Sequence, residues 1–521
     1  YNIRTNMTST SMPKNAKGGQ GPENLKGGSA IASGGYGCVF KPNLACSNEP
    51  VNANTTEPMN GTMRSNTKYV SKLMFKKHAT KEYNESQLFL DIIKRIENHN
   101  DYFIFPEAQC NPKHLSDADK VDFNRKCISF IPKNINNQTV NDKINKLSVL
   151  QLPDGGIDLQ DYIESKEIYK SEFYGINKIL QNLLTHAIVP MNQANLYHMD
   201  LKASNVLYDN TEKKIRLIDW GLSARLDDNG DLFNRIGGRP LHYNLPYSIL
   251  LLNDDFLDYI ENILYNHYDS DTLTVDFTYE VIERYYLKHL SKQIGDGHLK
   301  YIDYICKKIS HGYHPKHHDV FMYIAKIIVH YRTPDDTFDV RYFDVFRHNV
   351  DLWGFVTLYM PFMDIDDKMV GDETKQVKQN VRKLYTDFLH HYVTERIPIE
   401  KLLSYLSGLN RTYYYIRDVT PIGLNDRKVL KTISYPPVNH SSYKSKWGSK
   451  ISKSITKKKR TLSKPKSKSK STSHSKLSAS EQTTGMNLYK TPIQTRKRKT
   501  KSPPKVNRRT RAEELVTVTL S

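Results

Sequence analysis

The spacing of apolar positions divides the chain into two characters. Between Ile31 and about Leu152, short runs rich in Val, Phe and Tyr read as strands, with 39–41 and Tyr69–Phe75 the clearest. One helical stretch interrupts them, 80–96, where Leu88, Ile92 and Ile96 are spaced to share a face. The intervening 42–67, dense in Asn, Pro, Gly and Thr, predicts a long exposed insertion. After Leu152 the spacing changes to three and four, so 159–163, 176–195 and 249–331 predict helices. The part from about 254 to 345 is dense in Tyr, Ile, Leu and His, and no internal repeat occurs. Residues 1–28 and 439–521 hold too few apolar side chains to offset the entropy of ordering, and both predict disorder.

Composition sharpens this picture at three points. The chain has 521 residues, 38% of them apolar, enough for one large or two ordinary cores. No run of about 18 apolar residues appears, which argues against a membrane partner, and the amino end does not read as a secretory signal. Five scattered cysteines without zinc spacing predict reduced thiols in a cytosol-like, intracellular setting. The formal charge of +20 is local: residues 441–521 carry 23 Lys and Arg against three Glu, so the rest of the chain is balanced. That tail is expected to bind nucleic acid or another acidic partner electrostatically, to serve as a nuclear-import address through Arg496, Lys497, Arg498 and Lys499, to accept phosphate on its many serines, or simply to keep the chain soluble.

The strongest chemical signal is His198-Met199-Asp200-Leu201-Lys202-Ala203-Ser204-Asn205, followed by Ile218-Asp219-Trp220-Gly221. Phosphoryl transfer needs little covalent chemistry; it needs cations on the triphosphate and an acceptor that orients the attacking hydroxyl. Asp200 suits the second task, and Lys202 reaches the transferred phosphate. Asn205 and Asp219 are hard oxygen donors of the kind Mg²⁺ prefers.

These residues resemble the catalytic loop and metal-binding D-F-G of eukaryotic-type Ser/Thr protein kinases, and further motifs follow in that family's order. Ile31-Ala32-Ser33-Gly34-Gly35-Tyr36-Gly37-Cys38-Val39 is similar to the glycine-rich loop over ATP, with Ala32 at the first glycine. Lys72 stands at the strand lysine. Glu85 is its expected helix partner, because Leu88 and Phe89 follow three and four residues later; Glu82 is the alternative. Leu150 stands at the gatekeeper, Gln151 and Leu152 at the hinge, and Val39, Val70 and Leu207 around adenine. Leu245-Pro246-Tyr247 sits where the family has A-P-E, and Asp351-Leu352-Trp353-Gly354-Phe355 resembles its D-x-W helix. The G-G-Y-G loop and long insertions look most like kinases of giant DNA viruses.

The resemblance implies an α+β, two-lobed fold. A β-rich N-lobe (29–152) precedes a helical C-lobe (153–438) with a long insertion near 254–345, which widens the substrate platform or docks a partner. It implies transfer of the ATP γ-phosphate to serine or threonine of a protein substrate, with Mg²⁺. Two departures matter. Met199 replaces an arginine that commonly pairs with a phosphorylated activation segment, and 222–246 offers only Ser223 and Tyr243 as hydroxyls, so activity without phosphorylation there is expected. Tyr247 replaces a glutamate that forms a buried ion pair, so the substrate platform is expected to be built differently. Two other functions fit parts of the pattern: a small-molecule phosphotransferase, which shares H-x-D-x-x-x-x-N, and a silent kinase-like scaffold.

Overall fold

The computed structural model describes residues 28–34, 37–50, 68–165, 170–226, 236–310, 316–364 and 371–416. The basic tail and all of the leader but Gly28 lie outside them.

Six strands form the first layer: β1 (Ser29–Gly34), β2 (Gly37–Lys41), β3 (Cys46–Pro50), β4 (Tyr69–Phe75), β5 (Ala108–Pro112) and β6 (Leu147–Pro153). Their order is β1-β2-β4-β6-β5-β3, antiparallel throughout. Register decides what each face carries. Lys72 pairs with Val39 on one side and Leu150 on the other, and Val70 with Leu152. Cross-strand partners share a face, so these five side chains line one surface. The opposite face buries Cys38, Phe40, Leu73 and Val149 beneath Phe123, Phe130, Ile135 and Val140. That cover comes from the stretch between β5 and β6, which the sequence patterning did not single out.

The insertion expected over 42–67 is corrected at its start. Asn43 and Leu44 are buried, the Leu44 amide donates to the Ser71 hydroxyl at 2.8 Å, and 46–50 is the edge strand β3. An apolar side chain beside a strand hydroxyl holds down what composition alone reads as loop; 51–67 lies outside the described residues.

The expectation of reduced thiols is corrected as well. Cys38 is bonded to Cys127 and Cys46 to Cys110, with Cα atoms 5.1 and 5.8 Å apart. Only Cys306 is free; it is buried, and burial pushes its thiol well up. The partners lie 89 and 64 residues apart in sequence, so only tertiary structure brings them together: the packing of the cover on the sheet for Cys38 and Cys127, and the pairing of β3 with β5 for Cys46 and Cys110.

Helix α1 (Lys76–Ile93) crosses the sheet. Its buried residues are Ala79, Ser86, Phe89 and Ile93, not the expected stripe, and Leu88 is 66% exposed. Beyond β6 the chain is mainly helical, with three short strand pairings that carry loops: β7 (Ile157–Asp158) and β9 (Val206–Asp209), β9 and β10 (Lys214–Leu217), and β8 (Leu196–Tyr197) and β11 (Ala224–Arg225). Helix Lys170–Leu183 runs through a wide turn at Leu184–Ile188 into Val189–Gln193. Helix Tyr342–Thr357 is buried along nearly its whole length. Among the described residues no helix is long and apolar enough to cross a membrane.

Candidate active site

Two strand-flanked loops supply the site. The first, 198–205, lies between β8 and β9. The β9–β10 hairpin then returns the chain so that the Ile218 amide donates to the Asn205 carbonyl at 3.1 Å, which places Asp219 beside the first loop. Asp351 holds the first loop from beneath: its carboxylate accepts from the His198 and Met199 amides at 2.8 Å each and from Asn192 Nδ2 at 2.7 Å. This double anchor supports Met199 in a left-handed conformation, φ +57°, that a bulky residue seldom adopts. His198 Nε2 donates to the Ile218 carbonyl at 3.0 Å, and its Nδ1 accepts from the Asp200 amide at 3.3 Å, so the ring ties one loop to the other.

Within this frame Asp200 is buried and surrounded by donors. Lys202 Nζ lies 2.8 Å from its Oδ2, Asn205 Nδ2 donates to both its backbone carbonyl and Oδ2 at 2.9 Å, and Asn244 Nδ2 donates to Oδ1 at 2.9 Å. Burial acts to raise its pKa, but the Lys202 ammonium and the Asn244 amide outweigh burial and hold the carboxyl below its usual range. It is therefore a carboxylate with oriented oxygens.

Asp219 takes φ +66°, a left-handed conformation that aspartate tolerates better than most residues. Trp220 next to it is buried; its Nε1 donates to the Ile104 carbonyl at 2.9 Å and its ring stacks on Phe105 at 4.3 Å. Lys72 Nζ, reaching from β4, lies 3.1 Å from Asp219 Oδ1 and 2.7 Å from Glu82 Oε1. The Lys72 charge is the largest influence on Asp219 and holds it below the usual carboxylate range. Burial acts to lower Lys72, and the two carboxylates override it and raise it. Burial pushes Glu82 up, opposed by Lys72.

Glu85 is therefore corrected as the partner of Lys72. Glu82 lies on the inward stripe between Ala79 and Ser86, spaced three and four, whereas Glu85 pairs with Lys81 on the outside at 3.9 Å. The argument for Glu85 relied on Leu88 facing inward, and Leu88 faces solvent.

The glycine-rich loop is a hairpin in which Gly34 pairs with Gly37 and Ala32 with Val39. Gly37 sits tight against β4; a Cβ there would come within 2.2 Å of the Leu73 carbonyl oxygen. Ile31 sits at an irregularity in register and is exposed. Ser33 and Gly34 are described only as backbone, and Gly35 and Tyr36 lie outside the described residues. Cys38 is corrected as a nucleotide contact, because the pleat turns it to the far face, where it is bonded to Cys127. Leu150 is buried, Leu152 half-buried, and Leu207 lies against the Gly155 position, where an added Cβ would meet its Cδ1 at 2.6 Å. The Gln151 carbonyl, one of the backbone groups expected to meet adenine, accepts from the Glu107 amide at 2.9 Å.

The site fits a magnesium–nucleotide pair. Asn205 has spent its amide hydrogens on Asp200, which leaves Oδ1 as its donor to a cation, and Asp219 keeps its carboxylate charge 42% exposed. Two hard oxygens suit Mg²⁺, which fills its remaining positions with water and phosphate oxygens. Sequence reasoning missed Asn244, Asn192 and Arg239, whose contacts span long loops. Asp351 was read only as part of a helix.

The alignment with a solved structure, the kinase of Cydia pomonella granulovirus, shows 16% identity, covers 43% of this chain and 62% of that one, less than two thirds of its length, and has a TM-score of 0.22. Residues 125–242, which include both loops, match the family model of the protein kinase domain. The chain thus carries a protein kinase domain match within a mixed α+β, two-lobed kinase-like fold.

Proposed function

We propose that the protein is a serine/threonine protein kinase that moves the ATP γ-phosphate to hydroxyls of another protein. The observation that carries this reading is Lys72 held between Glu82 and Asp219, which joins the sheet to the loop beside Asp200. In this reading Lys72 binds phosphate oxygens, and Asn205 and Asp219 hold Mg²⁺, which would supply charge neutralisation on the triphosphate. Asp200 accepts the hydrogen bond of the acceptor hydroxyl and aligns it, and Lys202 meets the charge on the transferred group. The resemblance favours serine and threonine acceptors, because Lys202 stands at a position where tyrosine-specific kinases usually lack lysine. The G-G-Y-G loop and the long insertions support a place among kinases of giant DNA viruses.

The test is an assay with radiolabelled ATP and Mg²⁺ against mixed protein acceptors, and separately against aminoglycosides and choline. Label on protein serine and threonine that vanishes in Asp200→Asn supports the proposal. Label confined to small molecules would make the chain a small-molecule phosphotransferase. No label anywhere, with Asp200→Asn and parent melting alike in nucleotide, would leave a scaffold.

A further inference from the structure

The chain from Arg239 to Ser248 lies beside the catalytic loop and is gripped along its length by the segment expected as an insertion. The His298 amide donates to the Leu241 carbonyl at 2.9 Å. Gly297 makes this approach in a left-handed conformation, φ +54°, and a Cβ there would come within 2.2 Å of the Leu241 oxygen. The His298 ring lies 4.3 Å from that of His242, and Tyr301 meets Tyr243 edge-on at 5.0 Å. Farther along, Tyr247, which stands where the family carries a glutamate, packs edge-on against Tyr323 at 5.4 Å, and the Tyr342 hydroxyl donates to Ser248 at 2.6 Å.

The same strip reaches the reacting groups from its other side. Asn244 donates to Asp200, and Arg239 Nη1 donates to the Met199 carbonyl at 3.1 Å. The basic group thus comes from the segment to the loop, the reverse of an arginine on the loop holding a phosphate on the segment. The two hydroxyl-bearing residues of 222–246 are both packed into the fold. Ser223 is buried, with its Oγ donating to the His198 carbonyl at 3.2 Å, and Tyr243 is half-buried against Tyr301.

We propose that the turn 295–298 is a built-in clamp that orders 239–248 in place of a phosphorylated residue, with Gly297 and His298 as positioning residues for protein-acceptor binding. The inference rests on the kinase reading and assigns the insertion a task within it. A misplacement of about 1 Å at a reacting group costs on the order of 10²-fold in rate, so a clamp outside the site has leverage on it.

The experiment compares the full chain with Gly297→Ala, His298→Ala and His298→Phe, the last of which keeps a ring against His242. Hydrogen–deuterium exchange of 239–248 should quicken by about tenfold or more in the first two, with the six-stranded sheet unchanged as an internal control of folding. Acceptor kcat/KM should fall by a similar factor while nucleotide Kd stays within about twofold, and His298→Phe should recover most of the loss. Phosphatase-treated parent should keep its activity. Parent-like exchange in both Gly297→Ala and His298→Ala would overturn the clamp, as would an equal loss of nucleotide binding or inactivation by phosphatase. A parent that labels no acceptor overturns the kinase reading instead, and the exchange data still decide the clamp.

Discussion

Lys72 and Glu82 meet at 2.7 Å across the junction of β4 and α1, on the face of the helix that buries Ala79, Ser86, Phe89 and Ile93. Glu85, one turn on, pairs outward with Lys81. Glu82→Gln should therefore lower kcat/KM on the order of 10²-fold by releasing Lys72 from its working position, while Glu85→Gln stays close to parent. Steady-state kinetics of the two variants decide it, and equal losses would contradict the pairing.

Asp200 accepts from Lys202 and Asn244 and stays ionised. Asp200→Asn keeps the shape and removes the charge, so kcat should drop by about 10² to 10⁴-fold. The melting temperature and its rise with nucleotide should survive, because Lys72, Glu82 and Asp219 are untouched. A variant with parental turnover would remove Asp200 from the chemistry.

Asp351 is fully buried and satisfies two consecutive backbone amides. Asp351→Ala leaves both donors without a partner, at about 1–3 kcal/mol for each buried group. Denaturant unfolding should show a loss of about 3 kcal/mol or more, against less for Asp351→Asn, which retains an acceptor. Parental stability of the alanine variant would mean that the loop is held elsewhere.

One disulfide, Cys38–Cys127, ties β2 to the stretch that covers the sheet, and the other, Cys46–Cys110, joins the paired strands β3 and β5. Without reductant, denatured protein should take up alkylating reagent at Cys306 alone, read by peptide mass. Cys38→Ser should cost about 2–4 kcal/mol under those conditions and far less once the parent is reduced. Alkylation of all five cysteines in unreduced protein would refute the pairing.

His242 gives a pH dependence with a definite sign. Burial, with His298 and Arg239 nearby, pushes it down to about 3 from its ordinary 6.5. Below 6.5 the unfolded chain takes a proton that the folded one refuses until about 3, so stability is retained above this window and falls as pH drops through it. His242→Phe removes that contribution. The stability difference between parent and variant should be flat above pH about 7 and should shift against the parent between about 6.5 and 3. A flat difference throughout would show that His242 protonates in the fold without cost.

What the sequence determined is what neighbours along the chain can build. The spacing in His198–Asn205 and Ile218–Gly221 suffices to form two loops joined by a hairpin, so Asp200, Asn205 and Asp219 come together through short stretches of backbone. Alternation in Tyr69–Phe75 likewise aims Lys72 at one face.

Only the tertiary structure decided the rest, because it depends on register and on partners far along the chain. One helical turn separates Glu82 from Glu85, and only the packing of Phe89 and Ile93 selects between them. Four cysteines look scattered until strand pairing aligns Cys46 with Cys110 and the cover brings Cys127 to Cys38. The aromatic run of 254–345 reads as any helical core, and its turn against Leu241 exists only once those helices have packed. Local spacing encodes the chemistry, whereas burial of distant surfaces assigns the partners.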